Sequence, residues 1–184
     1  MRVFFCRKCG QQLSFENSIC LSCDSRLGFH LPGRSIQVLG DDLTVTVDGT
    51  VWGGNLAMLA SLLGTEWFPR IEGGILFVED IAEHPYRVER MLLQLMQAGV
   101  LGRQRALVLG DFSGYKLGAM DNGYDFDAML AHLRATLPIP VLTGLSFGHL
   151  PRRVTIPFGA QARLQSDAAG FTLALSDYPT LRSA

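Results

Sequence analysis

Apolar and polar positions change period several times along this chain, and each change marks an element. Leu43, Val45 and Val47 alternate with polar neighbours, the period-two pattern of a half-buried strand, which is expected to end near Asp48 and Gly49. In VWGGNLAMLASLLG the period changes: Leu56, Leu59, Leu62 and Leu63 share one helical face, with Asn55 as N-cap and Gly64 as the stop. That helix reads as short and buried. GILFV, residues 74–78, is a continuous apolar run of the kind found in a strand covered on both faces. Pro85 opens the next helix at a position where its missing N–H costs nothing. There Val88, Met91, Leu92, Leu95 and Met96 recur at helical spacing as core residues, and Gly99 ends the run.

The alternation of strand and helix continues downstream. ALVLG, residues 106–110, reads as a second buried strand, and YDFDAMLAHLRATL as a helix capped by Asp125 with Pro138 just past its end. A third strand starts at Pro140 in PVLTGL, and VTIPFGAQARLQSDAAGFTLALS reads as short strands with a hairpin turning between Asp167 and Gly170. Strands separated by helices, then a β-rich tail, predict a mixed α/β domain. Upstream, HLPGRSIQVLGDD has no sustained period and carries Pro32, Gly33 and Gly40, so residues 32–42 read as a linker.

Composition limits the function classes. The 184 residues, 48% of them hydrophobic, can bury one core and a small satellite module. A net charge of −1 argues against a nucleic-acid binder driven by bulk electrostatics. MRVFFCRKCG lacks the apolar centre of a signal peptide, and no run approaches the roughly 18 apolar residues of a membrane span. A soluble, cytoplasmic protein with no membrane partner is therefore expected.

All four cysteines, Cys6, Cys9, Cys20 and Cys23, fall near the N-terminus as two C-x2-C pairs ten residues apart. Two such pairs let four thiolates converge tetrahedrally on a structural Zn2+, and Gly10 suits the tight turn after the first pair. The alternative, two disulfides in a secreted domain, has no secretion signal behind it. QQLSFENSI between the pairs suits the short hairpin of a zinc ribbon over residues 1–31, and the stretch resembles the ribbons that open some bacterial zinc-binding proteins. So short a segment has almost no core, and the metal would supply most of its folding free energy. Its charge balance of +2 becomes close to neutral once four thiolates hold Zn2+, which favours a structural or protein-docking role. Four cysteine ligands close the site and leave no position for a catalytic water.

Chemistry on an open α/β sheet collects at the carboxyl ends of its strands. Glu79 and Asp80 follow GILFV, Asp111 follows ALVLG, and His149 closes GLSFGH after the third strand. Singly, such carboxylates read as caps or turn formers and the histidine as structural. Together, a glutamate and a histidine suggest an imidazole oriented by a carboxylate, the supporting pair of a nucleophile triad.

From about Leu43 to Leu175 the chain resembles the C-terminal domain of bacterial LD-carboxypeptidases, the cytoplasmic murein tetrapeptide carboxypeptidases. GTVWGGNLAMLASLLGTEWFP, GGILFVEDIAEHPYRVERMLLQLMQAGVL, LVLGDFSG, PVLTGLSFGH and VTIPFGA carry the resemblance. It implies a swivelling-type mixed β/α domain over residues 43–184. It also implies a serine-type activity that releases the terminal D-alanine of murein tetrapeptide in peptidoglycan recycling. Family members use a Ser-Glu-His triad, whose glutamate matches Glu79 and whose histidine matches His149. Successive strand side chains point to opposite faces, so only one of Glu79 and Asp80 can reach that histidine; the resemblance selects Glu79 and leaves Asp80 to hold the turn or a cap.

The serine of such enzymes sits in a GxSD-type motif of an N-terminal domain, beside an RGGYG-type turn, and neither motif occurs in this sequence. Ser113 and Ser146 lie near the motifs, but no strand-to-helix nucleophile elbow surrounds them. Two expectations follow. One is an enzyme part, inactive alone, whose serine comes from another polypeptide and whose partners are murein peptide and a partner chain or a second copy. The other is a non-catalytic, zinc-stabilised binding or scaffold protein, or a rearranged gene remnant.

Overall fold

A computed structural model of the protein describes residues 4–6, 8–13, 20, 22–23, 27–30, 35–38, 44–167 and 169–178. Two small antiparallel ladders come first: β1 (Phe4–Phe5) pairs with β2 (Gln12–Leu13), and β3 (Leu27–His30) with β4 (Ser35–Val38). β4 lies within the stretch 32–42 read as linker; its polar–apolar alternation is only four residues long, too short to register as a period. Most of QQLSFENSI, and Leu43 of the first predicted strand, lie outside the described residues.

The remaining elements build one six-stranded sheet. They are β5 (Val45–Asn55), α1 (Leu56–Leu62), β6 (Ile75–Glu79), α2 (Pro85–Gln97), β7 (Ala106–Leu109), α3 (Phe126–Thr136), β8 (Val141–Thr143), β9 (Gln161–Asp167) and β10 (Gly170–Ser176). The order across the sheet is β10-β9-β5-β6-β7-β8, with β5 to β8 parallel and the last hairpin antiparallel. Each predicted cap holds: Asn55 accepts from the Met58 N–H at 3.0 Å, and Asp125 from the Ala128 N–H at 2.8 Å. Gly99 turns the chain after α2 at φ 75°, a conformation that disfavours side chains.

Three elements differ from their sequence reading. β5 does not end near Asp48 and Gly49 but runs on to Asn55, because it changes partner midway. Val45–Thr50 pair with β9, and Val51–Asn55 pair with β6 on the other edge. α1 buries only Leu56 and Leu59, while Met58 is 63% exposed, so it is an amphipathic cover and not a buried helix. In the tail, residues 154–157 form no strand, and its ladder pairing is carried by the seven-residue strands β9 and β10.

Topology then decides where a site can form. Strand order advances in one direction from β5 to β8, and right-handed crossovers, the rule for parallel units, put all three connecting helices on one face. That face holds Trp52, Leu76, Val78, Leu107 and Leu109 against Leu56, Val88, Leu92, Leu95, Met129 and Leu133 of the helices. The opposite face, with Val51, Ile75, Phe77 and Val108, is covered by Leu145, Phe147 and Ile156 of the loop after β8 and by Phe171, Leu173 and Leu175 of β10. At the amino ends of the strands, buried Gln104 accepts from the Trp52 indole at 2.9 Å and donates to the carbonyls of Ile71 and Val100. A buried amide so satisfied adds no desolvation penalty.

Candidate active site and four-cysteine centre

Alternation along β6 sends its two terminal carboxylates to opposite faces. Ile75 and Phe77 belong to the helix-free face, and Leu76 and Val78 to the helical one, so Glu79 continues the first series and Asp80 the second. Asp80, 5% exposed, accepts from the Asn55 amide at 3.0 Å, the Ala57 N–H at 2.9 Å and the Ile81 N–H at 2.9 Å. It ties the start of α1 to the turn after β6, and its negative charge suits the positive end of that helix.

Glu79 is used differently. Its Oε2 lies 2.9 Å from Nδ1 of His149, with the carboxylate side chain 7% and the imidazole 50% exposed. An ionised carboxylate only accepts, so Nδ1 donates and Nε2 of the neutral ring is left as the acceptor. Nε2 has no hydrogen-bond partner among the described residues.

The loop that delivers His149 is tied by its backbone to the end of β7 and closed on itself. The Asp111 N–H donates to the Phe147 carbonyl at 2.8 Å, and the Val154 N–H donates to the Ser146 carbonyl at 2.8 Å. Phe147 meets Phe77 edge-on at 4.8 Å between ring centroids. This approach needs two glycines. A Cβ at Gly110 would stand 2.5 Å from the Phe147 oxygen, and one at Gly148, where φ is 127°, would stand 2.9 Å from the Asp111 Cβ and 3.0 Å from Glu79 Oε2. A cavity of about 370 Å³ opens over the pair, lined by Glu79, Phe147, Gly148, His149, Arg153, Val154, Thr155 and Ile156.

Asp111, the third strand-end carboxylate, accepts from the Ser113 hydroxyl at 2.8 Å and so forms a turn. Neither Ser113 nor Ser146 is hydrogen-bonded to His149 among the described residues. Sequence reasoning missed a second histidine–carboxylate contact, His84 Nδ1 to Asp121 Oδ1 at 3.2 Å. Asp121 also accepts from the Gly118 N–H, so this contact fastens the loop before α3 to the start of α2. It missed Arg153 and Thr155 as cavity residues too, because PRRVT has no periodic pattern to place it.

The four cysteines converge. Their sulfur atoms all lie within 4.8 Å of one another, with Cys6 and Cys23 at 3.8 Å and Cys9 and Cys20 at 3.5 Å. A tetrahedral ion with metal–sulfur bonds of about 2.3 Å requires sulfur–sulfur edges of about 3.8 Å, so the set fits one metal ion. Backbone geometry supports thiolates here: the N–H groups of Cys9 and Lys8 lower the Cys6 pKa, and Gly10, at φ 77°, makes the predicted tight turn. Burial pushes the Cys20 thiol up to about 11, so taking up metal displaces a proton there.

A mixed α/β sheet here places a buried carboxylate against a half-exposed imidazole at the carboxyl ends of its strands. The chain belongs to the LD-carboxypeptidase C-terminal domain family, which residues 48–164 match, and residues 3–51 match a zinc-ribbon domain family. It is 32% identical over 119 residues to a protein of Bacillus subtilis named as a probable murein peptide carboxypeptidase, covering 65% of this chain and 37% of that protein. It is 32% identical over 123 residues to the microcin C7 self-immunity protein MccF of Escherichia coli, covering 66% of this chain and 35% of that one. The crystal structure of muramoyltetrapeptide carboxypeptidase from Oxalobacter formigenes superposes with a TM-score of 0.73 at 62% identity, over 74% of this chain and 48% of that chain. The chain thus spans well under half the length of these curated relatives. Among the described residues no helix is long and apolar enough to cross a membrane.

Proposed function

We propose that this chain is the glutamate-and-histidine half of a serine-type LD-carboxypeptidase that releases the terminal D-alanine of murein tetrapeptide during cytoplasmic peptidoglycan recycling. The observation that carries the reading is the 2.9 Å bond between His149 Nδ1 and Glu79 Oε2. In this mechanism Nε2 of His149 takes the proton of a serine hydroxyl, and the serine Oγ attacks the carbonyl carbon of the L,D peptide bond. His149 then returns the proton to the departing D-alanine nitrogen, and after that product leaves, Nε2 of His149 deprotonates a water that hydrolyses the acyl-serine, regenerating the serine hydroxyl. Glu79 keeps Nδ1 protonated and stabilises the imidazolium formed in each half-reaction. The serine comes from a complementary nucleophile domain outside residues 1–184, and the chain alone is inactive.

The N-terminal module, residues 1–31, is a zinc ribbon in this reading, and residues 43–184 form the carboxypeptidase part. Cys6, Cys9, Cys20 and Cys23 would hold one Zn2+, whose part is structural because no fifth ligand position is open. A second reading, a non-catalytic zinc-stabilised binding protein, draws on the same serine pattern: neither Ser113 nor Ser146 engages His149 among the described residues. The test is D-alanine release from murein tetrapeptide by the full chain, alone and with a family nucleophile domain. Release only in the combined sample, abolished by His149→Ala, is the expected result; no release in either sample would overturn it in favour of the second reading.

A further inference from the structure

A carboxypeptidase must recognise a peptide by its free end, and the cavity over Glu79 and His149 contains one cation suited to that task. Arg153 is the sole lysine or arginine among its described lining residues. Among the described residues its guanidinium makes one hydrogen bond, from Nη1 to the Leu150 carbonyl at 3.1 Å, and no ion pair. The nearest acid in the cavity, Glu79, has its Oε2 engaged by His149 and its side chain 7% exposed. Nε and Nη2 of Arg153 therefore remain as a planar pair of donors, the arrangement that grips a carboxylate through two parallel bonds.

The segment bearing Arg153 folds back on the loop that carries His149. The Val154 N–H, next in the chain, is bonded to the Ser146 carbonyl at 2.8 Å, and the Leu150 carbonyl holds the guanidinium from the other side. Arg153 and His149 thus belong to one short segment closed by two internal hydrogen bonds, and both line the same cavity. The Thr155 hydroxyl lines the same wall without a hydrogen-bond partner among the described residues and can supply a further donor. Arg152, exposed like Arg153, does not line the cavity.

We propose that Arg153 is the specificity-determining residue that binds the terminal carboxylate of the peptide whose last bond faces His149. The inference rests on the carboxypeptidase reading and names the chemical class that the site takes: a peptide with a free α-carboxylate one residue beyond the bond to be cut. A carboxamide in its place loses the charge and one of the two acceptor oxygens.

The test is a titration of the full chain, followed through the imidazole resonances of His149, with N-acetyl-L-lysyl-D-alanine and separately with its C-terminal carboxamide. The acid is expected to bind about tenfold to a hundredfold more tightly than the amide, the usual span for a charge-assisted pair of hydrogen bonds. Arg153→Gln should bring the acid down to the affinity of the amide, Arg153→Lys should retain part of the preference, and Arg152→Gln should retain all of it. Equal binding of acid and amide by the unaltered chain overturns the inference, as does a preference that survives Arg153→Gln, or no binding of either ligand. D-alanine release with a family nucleophile domain, measured on the same Arg153→Gln protein, separates the two readings. Release that persists without preference for the acid over a C-terminal ester leaves the reaction standing with Arg153 as its carboxylate reader; release with the preference intact sinks Arg153 alone; no release from the unaltered chain sinks the carboxypeptidase reading.

Discussion

The cysteine cluster and the Glu79–His149 pair are the two places where this chain gathers chemistry, and they are assembled in opposite ways. The cysteines lie within 18 positions of each other, and two tight turns suffice to bring four sulfur atoms within 4.8 Å. Glu79 and His149 are 70 positions apart and meet only because a parallel sheet sets β6 beside β7 and a loop folds down on both. A site built from local turns has little core to hold it, and ligand bonds must do so. A site built on a sheet inherits the rigidity of a packed interior.

Breaking either site should therefore leave the other standing. The largest effect is expected from His149→Ala: with a family nucleophile domain present, D-alanine release should fall by about a thousandfold or more, while bound zinc stays near one per chain. Cys6→Ser, or a strong chelator, should reduce bound zinc to near zero and unfold the ribbon. The main thermal transition and the His149 resonances should not move, and loss of both modules together would show that the ribbon and the sheet fold as one unit. Gly148→Ala tests the close approach itself. Its Cβ would press on Asp111 and Glu79, so stability should drop by about 1–3 kcal/mol in denaturant unfolding and the His149 ring signals should shift.

Asp80→Ala sharpens the distinction between adjacent carboxylates. Three donors at the start of α1 and the next turn lose their acceptor, which should cost about 2 kcal/mol while the Glu79–His149 bond remains. The smallest effect concerns Asp48, exposed and held below the usual carboxylate range by the Arg163 guanidinium at 2.8 Å. A depressed folded value means that its contribution is complete above about pH 4 and fades as pH falls through that value. Asp48→Asn should remove a small acid-side dependence of the melting temperature and leave the neutral-pH value nearly unchanged.

Much of this was legible in residue order. Helix caps at Asn55 and Asp125, the stop at Gly99 and the buried runs at β6 and β7 all occur where the periodicity predicts them. The errors have one origin. β5 was cut short because alternation reports a half-buried strand, and this strand turns fully buried where it acquires a second partner, at Val51 and Trp52. The tail's irregular stretch at 154–157 reads as strand for a related reason: Val154 and Ile156 alternate, but Ile156 packs on the sheet from a loop rather than from a ladder within it.

By itself the sequence determined what depends on neighbours a few residues apart: the spacing of the cysteines, the strand and helix periods, and the rule that Glu79 and Asp80 must face opposite ways. Strand-end position suggested a carboxylate–histidine pair, but the sequence singled out Glu79 for His149 only through resemblance, since nothing in local spacing relates two residues so far apart. The tertiary structure decided that all three helices cover one face, that the other face receives the loop from β8, and that Gly148 and Gly110 let this loop come close enough for a 2.9 Å bond. It also decided that Arg153 shares a cavity with the imidazole. Those outcomes depend on strand order and on the steric limit at a missing Cβ, quantities that exist only once the sheet has formed.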